Sequence, residues 1–236
     1  MNSFSISKAL SVGWHKTGQH FWTFLGLLLI LIGATIAISF LSAVFFWMPV
    51  ISGLIVFAIE ALAVFVNLAL MMIFLRIARS EKLSFDNMVD EFGGLFKNLS
   101  FVANFAVIAV FYGLIVMLGL VVFIIPGIYL AIKYSQVLFM VADKKKPLPS
   151  CKNMKLSESL RKAFKEYKQT FHEAGKLMSG VKWRYVGFCL VIFGLGLLSV
   201  IPGILTLGLG FFFFALMIRI ALASVYLQLS EKQSAS

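Results

Sequence analysis

Charge is what this chain has least of. Only 13% of its residues are Asp, Glu, Lys or Arg, against 61% hydrophobic, and the mean hydropathy is +0.96. A soluble domain of 236 residues needs far more charge to cover its surface. The composition therefore excludes an ordinary soluble fold and points to a membrane protein. Cysteine is limited to Cys151 and Cys189, one in a predicted loop and one in an apolar segment, which excludes a disulfide framework. The three histidines, His15, His20 and His172, lack metal-ligand spacing. No serine or cysteine stands in a recognisable nucleophile motif, and Gly93-Gly94 lacks the lysine and spacing of a phosphate loop. The expectation is a non-enzymatic protein with no catalytic residue, metal or cofactor.

The scarce charge is also unevenly spread. Residues 21–75 contain only Glu60, residues 98–142 only Lys133, and residues 185–230 only Arg219. The rest crowds into the N-terminus, residues 76–97, residues 143–184 and the C-terminal tail. Lys and Arg near membrane-segment ends are retained on the cytoplasmic side. The net charge of +11 thus reads as a topology signal, with no nucleic-acid partner implied. The first apolar run starts at Phe21 and lacks a small-residue cleavage site, so it is expected to stay as a membrane helix.

A spanning helix takes about 20 apolar residues to cross about 30 Å of hydrocarbon. Each window is long enough for two, and each is broken by a proline. The expected helices are residues 21–46 and 50–75, 99–123 and 128–142, and 183–200 and 204–229, with tips at Pro49, Pro126-Gly127 and Pro202-Gly203. The fold class is all-α: six transmembrane helices in three hairpins (21–75, 99–142, 183–229), forming one membrane domain over residues 1–236. The fourth helix is short before Asp143, so its tip is a candidate for stopping inside the bilayer. Pro49 to Pro126 is 77 residues and Pro126 to Pro202 is 76, and Ile-Pro-Gly-Ile occurs at 125–128 and 201–204. That spacing suggests a repeat. Amphipathic stretches at 6–20, 85–97 and 173–182 precede the hairpins and read as interfacial helices.

Further stretches carry a likeness: Ile-Pro-Gly-Ile-Tyr-Leu-Ala-Ile-Lys-Tyr at 125–134, Val-Ala-Asp at 141–143 and Ser-Gly-Val-Lys-Trp-Arg at 179–184. With these the chain resembles the bacterial six-helix inner-membrane families of unknown function typified by YciC. It is also similar to the membrane domain attached to some glycerophosphodiester phosphodiesterases. The likeness covers most of the chain, although the loop before the fifth helix is longer here than in the family pattern. The resemblance implies a multi-pass protein of the bacterial cytoplasmic membrane with both termini inside. It supplies no activity, since no phosphodiesterase motif occurs.

The longer loop belongs to a basic segment, 143–182. Residues 143–184 hold twelve Lys and Arg against four acidic residues, a net charge of +8. Within it, residues 156–178 place Leu156, Leu160, Ala163, Phe164, Tyr167, Phe171 and Ala174 on one helical stripe. Lys144, Lys145, Lys146, Arg161, Lys162, Lys165 and Lys168 are the candidates for facing anionic lipid headgroups or a protein partner. A membrane-protein partner or a second copy of the chain is compatible with this segment.

Two intramembrane charges complete the candidates. Glu60 lies about 16 Å and Lys133 about 10 Å along their helices from the hairpin tips, a depth difference that a lysine stem can bridge. An ion pair Glu60–Lys133 is expected, with Tyr112, Tyr134 and Gln136 as polar neighbours. It serves either as a lock between hairpins or, in the alternative function, as part of a central cavity in a small-solute or ion transporter or channel. Arg219 is expected to snorkel to the interface. Asp86, Asp90 and Glu91 read as a solvated helix face. The leading function is a membrane-organising or accessory component that engages lipid or a membrane partner.

Overall fold

The computed structural model describes residues 4–44, 47–81, 85–144, 156–206 and 208–234. The described residues form ten α-helices: α1 (Ile6–Val44), α2 (Pro49–Ala78), α3 (Phe85–Lys97), α4 (Leu99–Val122), α5 (Ile124–Tyr134), α6 (Val137–Lys144), α7 (Leu156–Leu177), α8 (Lys182–Leu198), α9 (Val200–Leu205) and α10 (Leu209–Ser234). Five stretches are long and apolar enough to cross a membrane: Ile6–Ala37, Gly53–Ala78, Leu99–Val121, Lys182–Leu205 and Leu209–Lys232. The chain therefore has the make-up of an all-helical membrane protein.

Two expectations about the helices need correction. The amphipathic stretch at 6–20 is not a separate interfacial helix. It runs without a break into the first apolar run as the 39-residue α1, because no proline or turn glycine intervenes to end it. Its Gly13 faces α10 at close range, where a Cβ would meet the Met217 carbonyl oxygen at 2.7 Å. Around this contact Trp14 meets Phe213 at 5.1 Å, and Phe21 meets Phe212 and Phe213 at 6.0 and 5.8 Å between ring centroids. The expected fourth helix, in turn, is two: α5 and α6, separated at Ser135-Gln136. The Ser135 hydroxyl donates to the Ile132 carbonyl oxygen at 3.0 Å, a local bond that competes with the helical ladder. Gln136 is fully buried at this break.

The prolines sit where a helix tolerates them. Pro49 opens α2, and Pro126 and Pro202 lie within the first turns of α5 and α9, where the missing N–H costs nothing. The two Ile-Pro-Gly-Ile segments nevertheless occupy different places. The chain turns at Phe123, before Pro126, in the second hairpin. In the third it turns after Pro202, with Gly208 at φ +96°. What the two share is a glycine pressed against the opposite arm: Gly127 has the Leu120 backbone nitrogen 2.6 Å from where a Cβ would sit, and Gly203 lies against the Phe211 ring.

The packed core lies at one end. Leu68, Ala69, Met71 to Leu75, Val137, Phe139 to Ala142, Ala174, Met178, Ile220 and Tyr226 are buried together. Toward the other end large apolar side chains such as Leu29, Phe40, Leu54, Phe57, Val121, Leu197 and Ile204 are exposed. Apolar surface on that scale is the kind that lipid covers.

The charged residues gather at the packed end. Arg79 Nη2 meets Asp143 Oδ1 at 2.6 Å, and the Tyr226 hydroxyl donates to Asp143 Oδ2 at 3.0 Å, joining α2, α6 and α10. Arg76 pairs with Glu91 of α3, and Lys144 with Glu173 of α7 at 2.9 Å. The Ser5 amide donates to Gln228 Oε1 at 2.9 Å, bringing the start of α1 to the same end. Glu91 is thus a correction: it is buried against Arg76, and only Asp90 is exposed as expected. Asp86 lies outside the residues whose side chains are described.

Candidate functional site

The expected stripe on α7 docks only in its C-terminal half. Phe171, Ala174 and Leu177 are buried, and α7 packs there on α5, α6 and α10. Tyr134 of α5 meets Phe171 edge-on at 5.2 Å between ring centroids. The Lys144–Glu173 pair fastens α6 to the same half, and Gln169 Nε2 donates to Glu173 Oε1 at 3.1 Å. Toward its N-terminus α7 touches α4 through Tyr167 and Phe111, 5.7 Å apart. One turn earlier Phe164 is 65% exposed.

Between this half of α7 and the α4–α5 pair a cleft of about 920 Å³ opens. Its walls are of two kinds. Phe111 and Ile115 come from α4, Tyr129 and Tyr134 from α5, and Phe164, Tyr167 and Phe171 from α7. Lys133, Lys165, Lys168, Lys176 and Lys182 add five ammonium groups, with His172 beside them. No carboxylate lines the cleft among the described residues, and none of the five lysines is in an ion pair with a described residue. The nearby Glu173 is occupied by Lys144 and Gln169. Cations set against aromatic faces are chemically suited to an anion that carries apolar surface.

Two of the lysines are held by close contacts. Lys182 Nζ donates to the Tyr129 hydroxyl at 2.7 Å and stands 4.5 Å from the centre of that ring. The Lys133 stem crosses α7 at Gly175, where a Cβ would lie 3.2 Å from Lys133 Cε. Its ammonium lies 5.1 Å from the Tyr134 ring centre. The glycine gives the lysine its path between the helices. Trp183, next to Lys182, is 88% exposed. Tryptophan is enriched at membrane–water interfaces.

The expected Glu60–Lys133 pair does not form. Glu60 is on an exposed face of α2, while α5 packs on α4, α7 and α8. Depth along the helices was compatible with pairing, but the two residues belong to helix faces that do not meet. The expected polar neighbours divide. Tyr134 and Lys133 line the cleft, the Tyr112 hydroxyl donates to the Ala131 carbonyl oxygen at 3.3 Å, and Gln136 lies buried near Tyr185. Arg219 is exposed on α10 and borders a hollow of about 150 Å³ beside Asn67 and Met71.

Of the expected basic residues, Lys165 and Lys168 line the cleft, Arg161 and Lys162 are exposed on α7 outside it, and Lys144 is paired. Lys145 and Lys146 lie outside the described residues. Lys176 and Lys182 also line the cleft, although neither was among the expected facing residues. Lys176 lies eight residues after Lys168 on one face of α7, but spacing names a face without naming what lies opposite, and Lys182 lies on α8, outside that periodicity. Among the described residues no group of three or more His, Cys, Asp or Glu gathers as a metal site. No protein-family profile, curated protein sequence or solved structure matches the chain.

Proposed function

We propose that this chain is a non-enzymatic, multi-pass component of the bacterial cytoplasmic membrane that engages anionic lipid headgroups through α7. The observation that carries this reading is the set of five lysines facing the cleft with no described carboxylate opposite them. Each cation well placed at an anionic surface contributes about 1 kcal/mol of attraction. Arg161 and Lys162, exposed on the same helix, extend the basic surface. The likeness to the six-helix families at residues 125–134, 141–143 and 179–184 agrees with this location. It also fits both termini and α7 on the cytoplasmic side, where anionic lipid attracts basic segments.

We favour six apolar helical segments in three hairpins, with the tip of the second hairpin stopping inside the bilayer. Lys182, at the start of α8, bonds Tyr129 only five residues after Ile124, so α5 stays near the polar end of the molecule. A transporter using Glu60 and Lys133 in a shared cavity finds no support in the exposed position of Glu60.

Amide hydrogen exchange of the full chain in nanodiscs tests the reading. Exchange over residues 161–177 is expected to slow when phosphatidylglycerol replaces part of the phosphatidylcholine, and to recover in high salt as screening sets in. Identical exchange in the two lipid compositions would contradict it.

A further inference from the structure

Resting on that reading, we propose that the cleft between α5 and α7 binds one phosphate-bearing lipid, its phosphate met by Lys133, Lys176 and Lys182 and its chain laid along Phe111, Ile115 and Phe164. The cleft volume of about 920 Å³ lies toward the upper end of ligand pockets, about 300–1,000 Å³. A surface that merely attracts a bilayer needs no such volume.

The arrangement of the walls selects the ligand class. Phe111 and Ile115 belong to α4, within the apolar stretch Leu99–Val121. One wall of the cleft is thus continuous with surface fit for a hydrocarbon chain, and a wholly water-soluble anion would leave it uncovered. Tyr129 is flanked by cations: Lys182 donates to its hydroxyl, and Lys133 lies near it with its stem threaded over Gly175. Lysine binds phosphate as a compact point charge with three donors. Two ammoniums near one ring, with Lys176 lining the same cleft, suit a phosphate with its several acceptor oxygens better than a single carboxylate. Trp183, beside Lys182 and exposed, is the kind of residue that sits at the headgroup level, where a lipid phosphate lies.

The experiment uses the full chain purified in a non-ionic detergent. Binding of short-chain phosphatidylglycerol is measured by native mass spectrometry and titration, beside phosphatidylcholine, a fatty acid of equal chain length and inorganic phosphate. One phosphatidylglycerol per chain is expected, with the other three weaker. Lys133→Gln with Lys182→Gln is expected to weaken it by about tenfold or more. Gly175→Leu should do the same without altering charge, by filling the path of Lys133. Arg161→Gln with Lys162→Gln, outside the cleft, should leave it unchanged.

Equal loss in the Arg161 and Lys162 variant would overturn the cleft and leave only a general surface attraction. Binding of inorganic phosphate or the fatty acid as tight as that of phosphatidylglycerol would overturn the amphiphile or the phosphate assignment. If no stoichiometric binding occurs while exchange of α7 still depends on anionic lipid, the cleft fails alone. If both are absent, the reading beneath it fails as well.

Discussion

Asp143 holds three helices with two oxygens: one takes the Arg79 guanidinium at 2.6 Å and the other the Tyr226 hydroxyl at 3.0 Å. Replacing it with asparagine leaves Arg79 without its charge partner at the end of α2. A double-mutant cycle of Arg79→Met and Asp143→Asn, read by unfolding in detergent, is expected to show a coupling of about 1 kcal/mol. Arg79 is partly exposed, so solvent screening keeps the value toward the lower end of the range for contacting residues. Glu60→Gln and Lys133→Met should behave oppositely, with effects adding within about 0.5 kcal/mol because the two side chains do not meet. These residues also mark where sequence reasoning reached its limit. The isolation of Glu60 and Lys133 in apolar windows was legible, but which face of each helix meets which neighbour is set by packing. Glu91 was misread for the same reason: its polarity suited a solvated face, and only the placement of α3 against Arg76 shows that it is buried.

At the scale of elements, hydropathy made the long apolar helices legible, and the i, i+4 stripe made α7 legible. The break between α5 and α6 was not, because Ser135-Gln136 contains neither proline nor glycine and lies in a run that otherwise reads as one helix. The position of the turns relative to Ile-Pro-Gly-Ile was equally hidden. Proline fits the first turn of a helix, so the motif says that a helix begins nearby without fixing on which side the chain reverses. Packing between α1 and α10 gives a direct test at this scale. Gly13→Leu must push the helices apart, since its Cβ would lie 2.7 Å from the Met217 carbonyl oxygen. A fall in melting temperature equivalent to about 1–3 kcal/mol is expected. Gly18→Ala, one and a half turns along the same helix with nothing within 4 Å, should instead stabilise by up to about 1 kcal/mol through helix propensity. Equal effects from the two would mean that α1 does not pack on α10 through Gly13.

For the whole molecule, the arrangement is a packed, polar end and an apolar body exposed around it. The polar end gathers the start of α1 with the ends of α2, α6 and α10, through Ser5–Gln228, Arg79–Asp143 and Tyr226–Asp143. The cleft opens beside this end, between α7 and the α4–α5 pair, and its lysines are without described carboxylate partners. That geometry bears on function only if the polar end faces the cytoplasm and the hairpin tips face outward, so sidedness is the claim on which the account turns. Single-cysteine labelling in a chain with Cys151→Ser and Cys189→Ser measures it. With a membrane-impermeant maleimide on intact cells, Trp47→Cys is expected to label, and Lys165→Cys is expected to label only after the membrane is permeabilised. Labelling of Lys165→Cys in intact cells, with Trp47→Cys protected until permeabilisation, would put α7 on the outer face and contradict the account.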